Sequence, residues 1–138
     1  MPRYEIIPHT ADIGVKVYGK DLAELFKNAA YAMFDIIADL DGLKSSVERS
    51  VVVDAPNREE LLLSWLGELL YLFYTRQIIF FDFQIEEIDD MRVKATVSGR
   101  HVGENRNRLK TEIKAVTYHE LKIEEKDSNF VATIIFDV

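Results

Sequence analysis

The sequence predicts an α+β fold, a single domain in which two main α-helices pack on mixed or antiparallel sheet. Two segments repeat apolar residues at helical spacing, and about six shorter segments alternate apolar and polar residues as strands do. The strand segments form adjacent pairs joined by short turns, without the regular strand and helix alternation of a parallel sheet. The 138 residues contain no linker rich in Pro, Gly or Ser, so one domain over residues 1–138 is expected.

The first two predicted strands, residues 4–7 and 15–18, flank an irregular stretch over residues 8–14. Pro8 and Gly14 interrupt regular strand pairing in this stretch. It is therefore the first place to look for a functional site.

The first helix is predicted from its N-cap. Asp21 precedes an apolar pattern at helical spacing, and Glu24 stands three residues later, as in a capping box. The pattern ends before Asp41. Its apolar positions are Leu22, Leu25, Phe26, Ala29, Met33, Phe34 and Ile37.

The second helix follows a predicted strand over residues 47–53, which is rich in β-branched side chains. Asn57 and Glu60 mark the N-terminus of this helix. Its body, residues 61–74, is apolar nearly all round, so we expect it to be buried on most sides.

Two hairpins complete the prediction. Residues 81–86 pair with residues 91–97, and residues 121–125 pair with residues 130–136, because apolar and polar side chains alternate across short polar turns. Residues 111–119 are ambiguous, since their β-branched side chains favour a strand while their spacing also fits a helical face.

Composition limits the classes of partner. The 17 basic against 24 acidic side chains give a net charge of −7, which repels phosphate backbones, so no strong direct nucleic-acid binding is expected. No stretch approaches the ~20 apolar residues of a spanning helix, and residues 1–12 lack the features of a signal peptide. We expect a cytoplasmic protein with no membrane partner.

The usual catalytic motifs are missing from the sequence. Cysteine is absent, which excludes disulfides, thiolate nucleophiles and sulfur-ligated zinc. The chain also has no P-loop, no dinucleotide fingerprint, no Gly-x-Ser-x-Gly and no His-Glu-x-x-His.

Carboxylates stand near both ends of the chain. Asp12 follows His9 in the irregular stretch, and Asp137 adds its carboxylate to the terminal carboxylate of Val138. Two anions close together repel each other and favour a cation between them, and oxygen ligands indicate Ca²⁺ or Mg²⁺ before Zn²⁺. The alternative is ordinary loop chemistry at the first position and a frayed terminus at the second.

Residues 100–119 form the one basic segment of an acidic chain. It contains Arg100, Arg106, Arg108, Lys110 and Lys114. Such a segment suits a phosphate, a nucleotide or an acidic partner; the alternative is a solvated loop.

Three segments resemble motifs of the archease family. They are His-Thr-Ala-Asp-Ile-Gly at residues 9–14, Glu-Ile-Lys-Ala-Val-Thr-Tyr-His at residues 112–119 and Phe-Asp-Val at residues 136–138. The resemblance runs through the whole chain and implies a mixed α/β fold related to a redox chaperone domain. It also implies a non-catalytic activator that promotes GTP-dependent guanylylation and multiple turnover of an RtcB-type tRNA-splicing RNA ligase.

The resemblance further implies a divalent cation, usually calcium, held by Asp12, Asp137 and Val138. These residues come from opposite ends of the chain. They share one cation only if the fold brings the first loop beside the last strand, so this juxtaposition is the geometric prediction on which the cation site depends.

A functional surface is expected beside this cation. We hypothesise that it consists of His9, Glu112, Lys114 and His119 and docks near the nucleotide pocket of the ligase. Lys114 would neutralise triphosphate charge and Glu112 would complete a coordination shell. GTP and tRNA would be reached only through the ligase.

Two other functions stay open. A chaperone-like protein-binding module would present an exposed apolar patch, for which residues 69–73 are the candidate. A small metal-dependent hydrolase would use the same carboxylates to activate water, with His9 or His119 as the general base.

Overall fold

The computed structural model describes residues 2–138, which form seven strands, two α-helices and one short 3₁₀ segment. The strands are β1 (Tyr4–Ile7), β2 (Ile13–Gly19), β3 (Val47–Asp54), β4 (Ile78–Ile88), β5 (Arg92–His101), β6 (Ala115–Lys126) and β7 (Asn129–Asp137). The helices are α1 (Leu22–Ile37) and α2 (Arg58–Arg76), and the 3₁₀ segment is Gly103–Arg108. The predicted α+β class is confirmed.

The strands form two antiparallel sheets. One has the order β1-β2-β7-β6 and the other has the order β3-β5-β4. Helix α1 packs against both sheets through β2 and β4, and α2 packs mainly against β6. The first two strands of the chain therefore lie in the same sheet as its last two.

Both helices begin at the predicted caps. The Asp21 carboxylate accepts a hydrogen bond from the backbone N–H of Glu24 at 2.8 Å, and the Glu24 carboxylate accepts one from the N–H of Lys20 at 3.0 Å. The side chain of Asn57 accepts a hydrogen bond from the N–H of Glu60 at 2.9 Å. These bonds satisfy N–H groups that have no partner within the first turn of a helix.

Aromatic side chains connect the layers. Trp65 is fully buried, and its indole N–H donates to the carbonyl of Phe26 at 3.0 Å, which links α2 to α1. Phe34 on α1 meets three aromatic rings of α2 and β4 at centroid distances of 5.7 to 6.2 Å, those of Phe73, Phe80 and Phe83. This close packing fixes the position of the helices against the sheets.

The prediction of an exposed apolar patch at residues 69–73 is wrong. Leu69, Leu70 and Phe73 are buried in the core, and Tyr71 is the exposed large side chain of this turn. The apolar side of α2 is covered by the sheets rather than left open. Within residues 2–138, no helix combines the length and the apolarity that crossing a bilayer requires.

The ambiguous segment, residues 111–119, is resolved in favour of a strand that starts late. Strand β6 begins at Ala115, and the residues just before it are irregular. Ile113 is fully buried in this irregular part, outside any strand or helix.

Two arginines of the basic segment have a structural role. The Arg100 guanidinium donates to the carbonyl of Lys44 at 3.1 Å. The Arg108 guanidinium donates to the carbonyls of Asp39, at 3.2 Å, and Asp41. These bonds hold the loop that follows α1. Arg100 and Arg108 therefore bind backbone carbonyls of the chain itself.

Strand β1 is tied to α1 by one side-chain hydrogen bond. The Tyr4 hydroxyl donates to the Asp35 carboxylate at 2.6 Å, and both side chains are half-buried. Burial, together with this bond, raises the pKa of Tyr4 above its ordinary value. Because β1 leads directly into residues 8–12, the bond helps to fix one end of the irregular stretch.

We expect Tyr4→Phe to lower the free energy of unfolding by about 1 to 2 kcal/mol near neutral pH, because Asp35 loses its donor. The raised pKa of folded Tyr4 means that this stabilisation is complete below the unfolded pKa of about 10 and is lost as pH rises through the folded pKa. Urea unfolding near pH 7 and near pH 11 tests this. A difference between the two proteins that is constant across that range would contradict it.

Substitutions at two glycines test the close packing of β5 against β4. A Cβ at Gly99, in the central strand β5, would lie 2.0 Å from the carbonyl oxygen of Ile79, while one at Gly67 on α2 meets nothing within 4 Å. We expect Gly99→Ala to lower the free energy of unfolding by about 3 kcal/mol. Gly67→Ala should raise it by about 0.5 to 1 kcal/mol. Equal denaturation midpoints for the two variants would refute this packing.

Candidate functional site

The pairing of β2 with β7 brings the two ends of the chain together. Ile13 pairs with Phe136 in antiparallel register. Asp12 directly precedes Ile13 and Asp137 directly follows Phe136, so the two acidic residues lie side by side at the same end of the sheet. The Cα atoms of such neighbours are about 5 Å apart. The predicted juxtaposition of the first loop and the last strand is confirmed.

The C-terminus is held from both sides. Asp137 pairs with Ala115 on β6, and its carbonyl accepts a hydrogen bond from the backbone N–H of Lys114 at 2.7 Å. The side chain of Val138 is half-buried and packs against the core. The last residues are therefore ordered by strand pairing, and the frayed terminus weighed as the alternative is wrong.

The glycine of the first motif allows close packing in the sheet. A Cβ at Gly14 would lie 2.8 Å from Cγ1 of Ile7 and 3.2 Å from Cδ1 of Ile135. These two isoleucines therefore approach each other over Gly14. In the loop before it, Ala11 has a φ of 66°, a left-handed conformation that a non-glycine residue rarely adopts.

His9 lies at the centre of a cluster of polar groups. Its Nδ1 is 3.8 Å from Oδ2 of Asp12, and its Nε2 is 3.7 Å from Oε2 of Glu120. The other carboxylate oxygen of Glu120 is 3.6 Å from Nε2 of His119. The imidazole rings of His9 and His119 are 6.4 Å apart, edge to face. Carboxylates and imidazoles thus alternate along one line of contacts.

A bulge in β6 creates this cluster. The register between β6 and β7 shifts between Thr117 and Lys122, and Glu120 within the shift has a φ of 57°. Regular alternation would place His119 and Glu120 on opposite faces of the strand. The bulge instead lets both side chains approach His9.

Glu112 and Lys114 lie in different places on the surface. Both are exposed, and Lys114 is anchored beside Asp137 through its backbone. Glu112 lines a separate cleft of about 350 Å³ near the end of α2, together with Tyr74 and Lys110. The structure therefore brings His9, His119 and Lys114 to the end of the sheet that holds Asp137, but it places Glu112 in another cavity.

The Tyr74 hydroxyl is the principal polar contact in that cleft. It donates to the carbonyl of Ile113 at 2.6 Å. Burial, and to a lesser extent the nearby negative charge of Glu112, raises the pKa of Tyr74 above its ordinary value. The bond fixes the segment before β6, which in turn fixes the position of Lys114.

The predicted ligands at the end of the sheet suit a hard cation by their chemistry. Asp12, Asp137 and the terminal carboxylate of Val138 supply only oxygen atoms, which Ca²⁺ and Mg²⁺ prefer. His9 lies next to these residues, with Asp12 on one side of its ring and Glu120 on the other. Glu120 is a residue that sequence reasoning missed; its one signal was its position directly after His119.

Comparisons with known proteins cover the whole chain. The profile of the Archease protein family matches residues 4–138. The protein archease of Methanosarcina mazei is 40% identical over 140 residues, covering 99% of this chain and 96% of that protein. The protein archease of Sulfurisphaera tokodaii is 36% identical over 142 residues, covering 100% of both chains.

Solved structures have the same fold. The solution structure of protein 1598 of Methanobacterium thermoautotrophicum has a TM-score of 0.85 and 36% identity, and covers 100% of both chains. A crystal structure from Thermotoga maritima, described as an archease and possible chaperone, has a TM-score of 0.67 and 22% identity. It covers 96% of this chain and 94% of that one, and at this identity it shows the fold alone.

Proposed function

The chain belongs to the archease family, and on that premise we propose that it activates an RtcB-type tRNA-splicing RNA ligase. It promotes GTP-dependent guanylylation of the ligase and lets the ligase turn over repeatedly. It performs no catalysis of its own. The relevant site is at the end of the four-stranded sheet where the loop after β1 lies beside the last residues of β7.

The observation that carries the proposal is the juxtaposition of Asp12 and Asp137. The β2–β7 register, in which Ile13 pairs with Phe136, makes Asp12 and Asp137 backbone neighbours, with Val138 directly after Asp137, and this supports a shared site. Carboxylates that lie close together repel each other, and a bound cation offsets that repulsion. Calcium suits ligands that are all oxygen atoms, and magnesium is the alternative. When bound, the cation supplies positive charge and coordination positions for phosphate oxygens.

The surface around the cation suits a protein partner that holds GTP and RNA. Lys114 is exposed and lies next to Asp137, so its ammonium group is available to a phosphate carried by the ligase. The net charge of −7 opposes direct binding of RNA by this chain. RNA and GTP therefore reach the site through the ligase.

The experiment is guanylylation of a cognate ligase with labelled GTP, followed by RNA joining with substrate in excess. We expect the wild-type protein to accelerate labelling and to raise the number of turnovers. Asp12→Asn and Asp137→Asn should each reduce both effects at least about tenfold, because each removes one negative ligand of the cation.

Asp127→Asn is the matched control. Asp127 lies in the β6–β7 turn at the opposite end of the sheet and has a φ of 51°, which asparagine tolerates. This variant should activate the ligase as the wild type does. Unchanged ligase activity on adding wild-type protein would refute the proposal, and GTP hydrolysis by this chain alone would favour the hydrolase alternative.

A further inference from the structure

We propose that His9, His119 and Glu120 form a second cation site that binds a transition metal of the zinc type. Its ligands differ from those of the all-oxygen set, although Asp12 of that set faces His9, and it goes beyond the proposed activation of a ligase. Within residues 2–138, this is the one group of three such side chains whose ligand atoms all lie within 4.8 Å of one another.

The separations of the ligand atoms are close to those around one metal ion. Metal–nitrogen and metal–oxygen bonds of about 2.1 Å place neighbouring ligand atoms of a tetrahedron about 3.4 Å apart. Nε2 of His9 and Nε2 of His119 lie 3.7 and 3.6 Å from the two carboxylate oxygens of Glu120. These separations are too long for hydrogen bonds and close to those that a shared metal requires.

An unpartnered buried atom points to the same conclusion. Nδ1 of His9 is buried and has no hydrogen-bond partner, although Oδ2 of Asp12 is 3.8 Å away. A metal on Nε2 would require the ring proton to sit on Nδ1, facing that carboxylate. A carboxylate behind a metal-bound histidine is the usual arrangement, since it fixes the ring and its tautomer.

The backbone at Glu120 adopts an unfavourable conformation. Glu120 adopts a left-handed φ of 57° inside the bulge of β6. Glutamate rarely adopts this region, and such conformations cluster where a side chain must be aimed at a ligand.

The ligand types select the class of metal. Two imidazole nitrogens and one carboxylate suit zinc and its neighbours, whereas Ca²⁺ and Mg²⁺ prefer oxygen alone. His119 and Glu120 are 68% and 54% exposed, so solvent and metal reach the site freely. Three protein ligands leave a fourth position open for water or for an oxygen of a bound partner.

The test is titration of untagged protein with Co²⁺, used as a spectroscopic probe for a zinc-type site, in the presence of saturating Ca²⁺. We expect one Co²⁺ per chain, with the visible absorption of tetrahedral cobalt. His119→Ala and Glu120→Gln should lower Co²⁺ affinity at least about tenfold. Both side chains are largely exposed, so we expect the variants to fold, and circular dichroism is the check.

Two matched variants serve as controls. His101→Ala removes the remaining histidine, which is exposed on β5, and Glu124→Gln removes an exposed carboxylate on β6. Both should bind Co²⁺ as the wild type does. Wild-type affinity in His119→Ala or Glu120→Gln would overturn the proposal, as would an equal loss in either control.

Measuring calcium affinity distinguishes this site from the one at the chain ends. His119→Ala should keep the calcium affinity of the wild type, so failure of either site is seen independently of the other. Displacement of Co²⁺ by Ca²⁺ in equal amounts would mean a single shared site and would overturn the proposal.

Discussion

The antiparallel pairing of β2 with β7 is the constraint on which the candidate site depends. These strands are the two central strands of the four-stranded sheet, and their register joins the beginning of the chain to its end. Because residues of β2 and β7 also form part of the core, the position of Asp12 beside Asp137 is fixed by burial of apolar side chains. The backbone of the site is thus set by the same strand pairing and apolar burial that form the sheet.

The two outer strands add the remaining groups. The loop after β1 carries His9, and the bulge in β6 carries His119 and Glu120. Both connections contain a non-glycine residue in the left-handed region, Ala11 in the loop and Glu120 in the bulge. Each such residue costs of order 1 kcal/mol, and the strand pairing on either side supplies the energy that maintains it. Both residues lie in the segments that carry His9, His119 and Glu120.

Sequence patterns predicted the elements well because their causes are local. The caps at Asp21 and Asn57 and the alternation in the hairpins depend on residues close in the chain. The bulge at Glu120 was not predictable, since alternation assumes two residues per repeat and the bulge breaks that count. The placement of Glu112 in a separate cleft also depends on packing against α2, which no local pattern encodes.

Calorimetric titration with calcium tests the central claim that both ends of the chain hold one ion. We expect one calcium per chain for the wild type. We expect weaker binding for Asp12→Asn, for Asp137→Asn and for a chain extended beyond Val138, whose terminal carboxylate is then an amide. Unchanged calcium affinity after alteration of either end would show that the two ends do not share an ion.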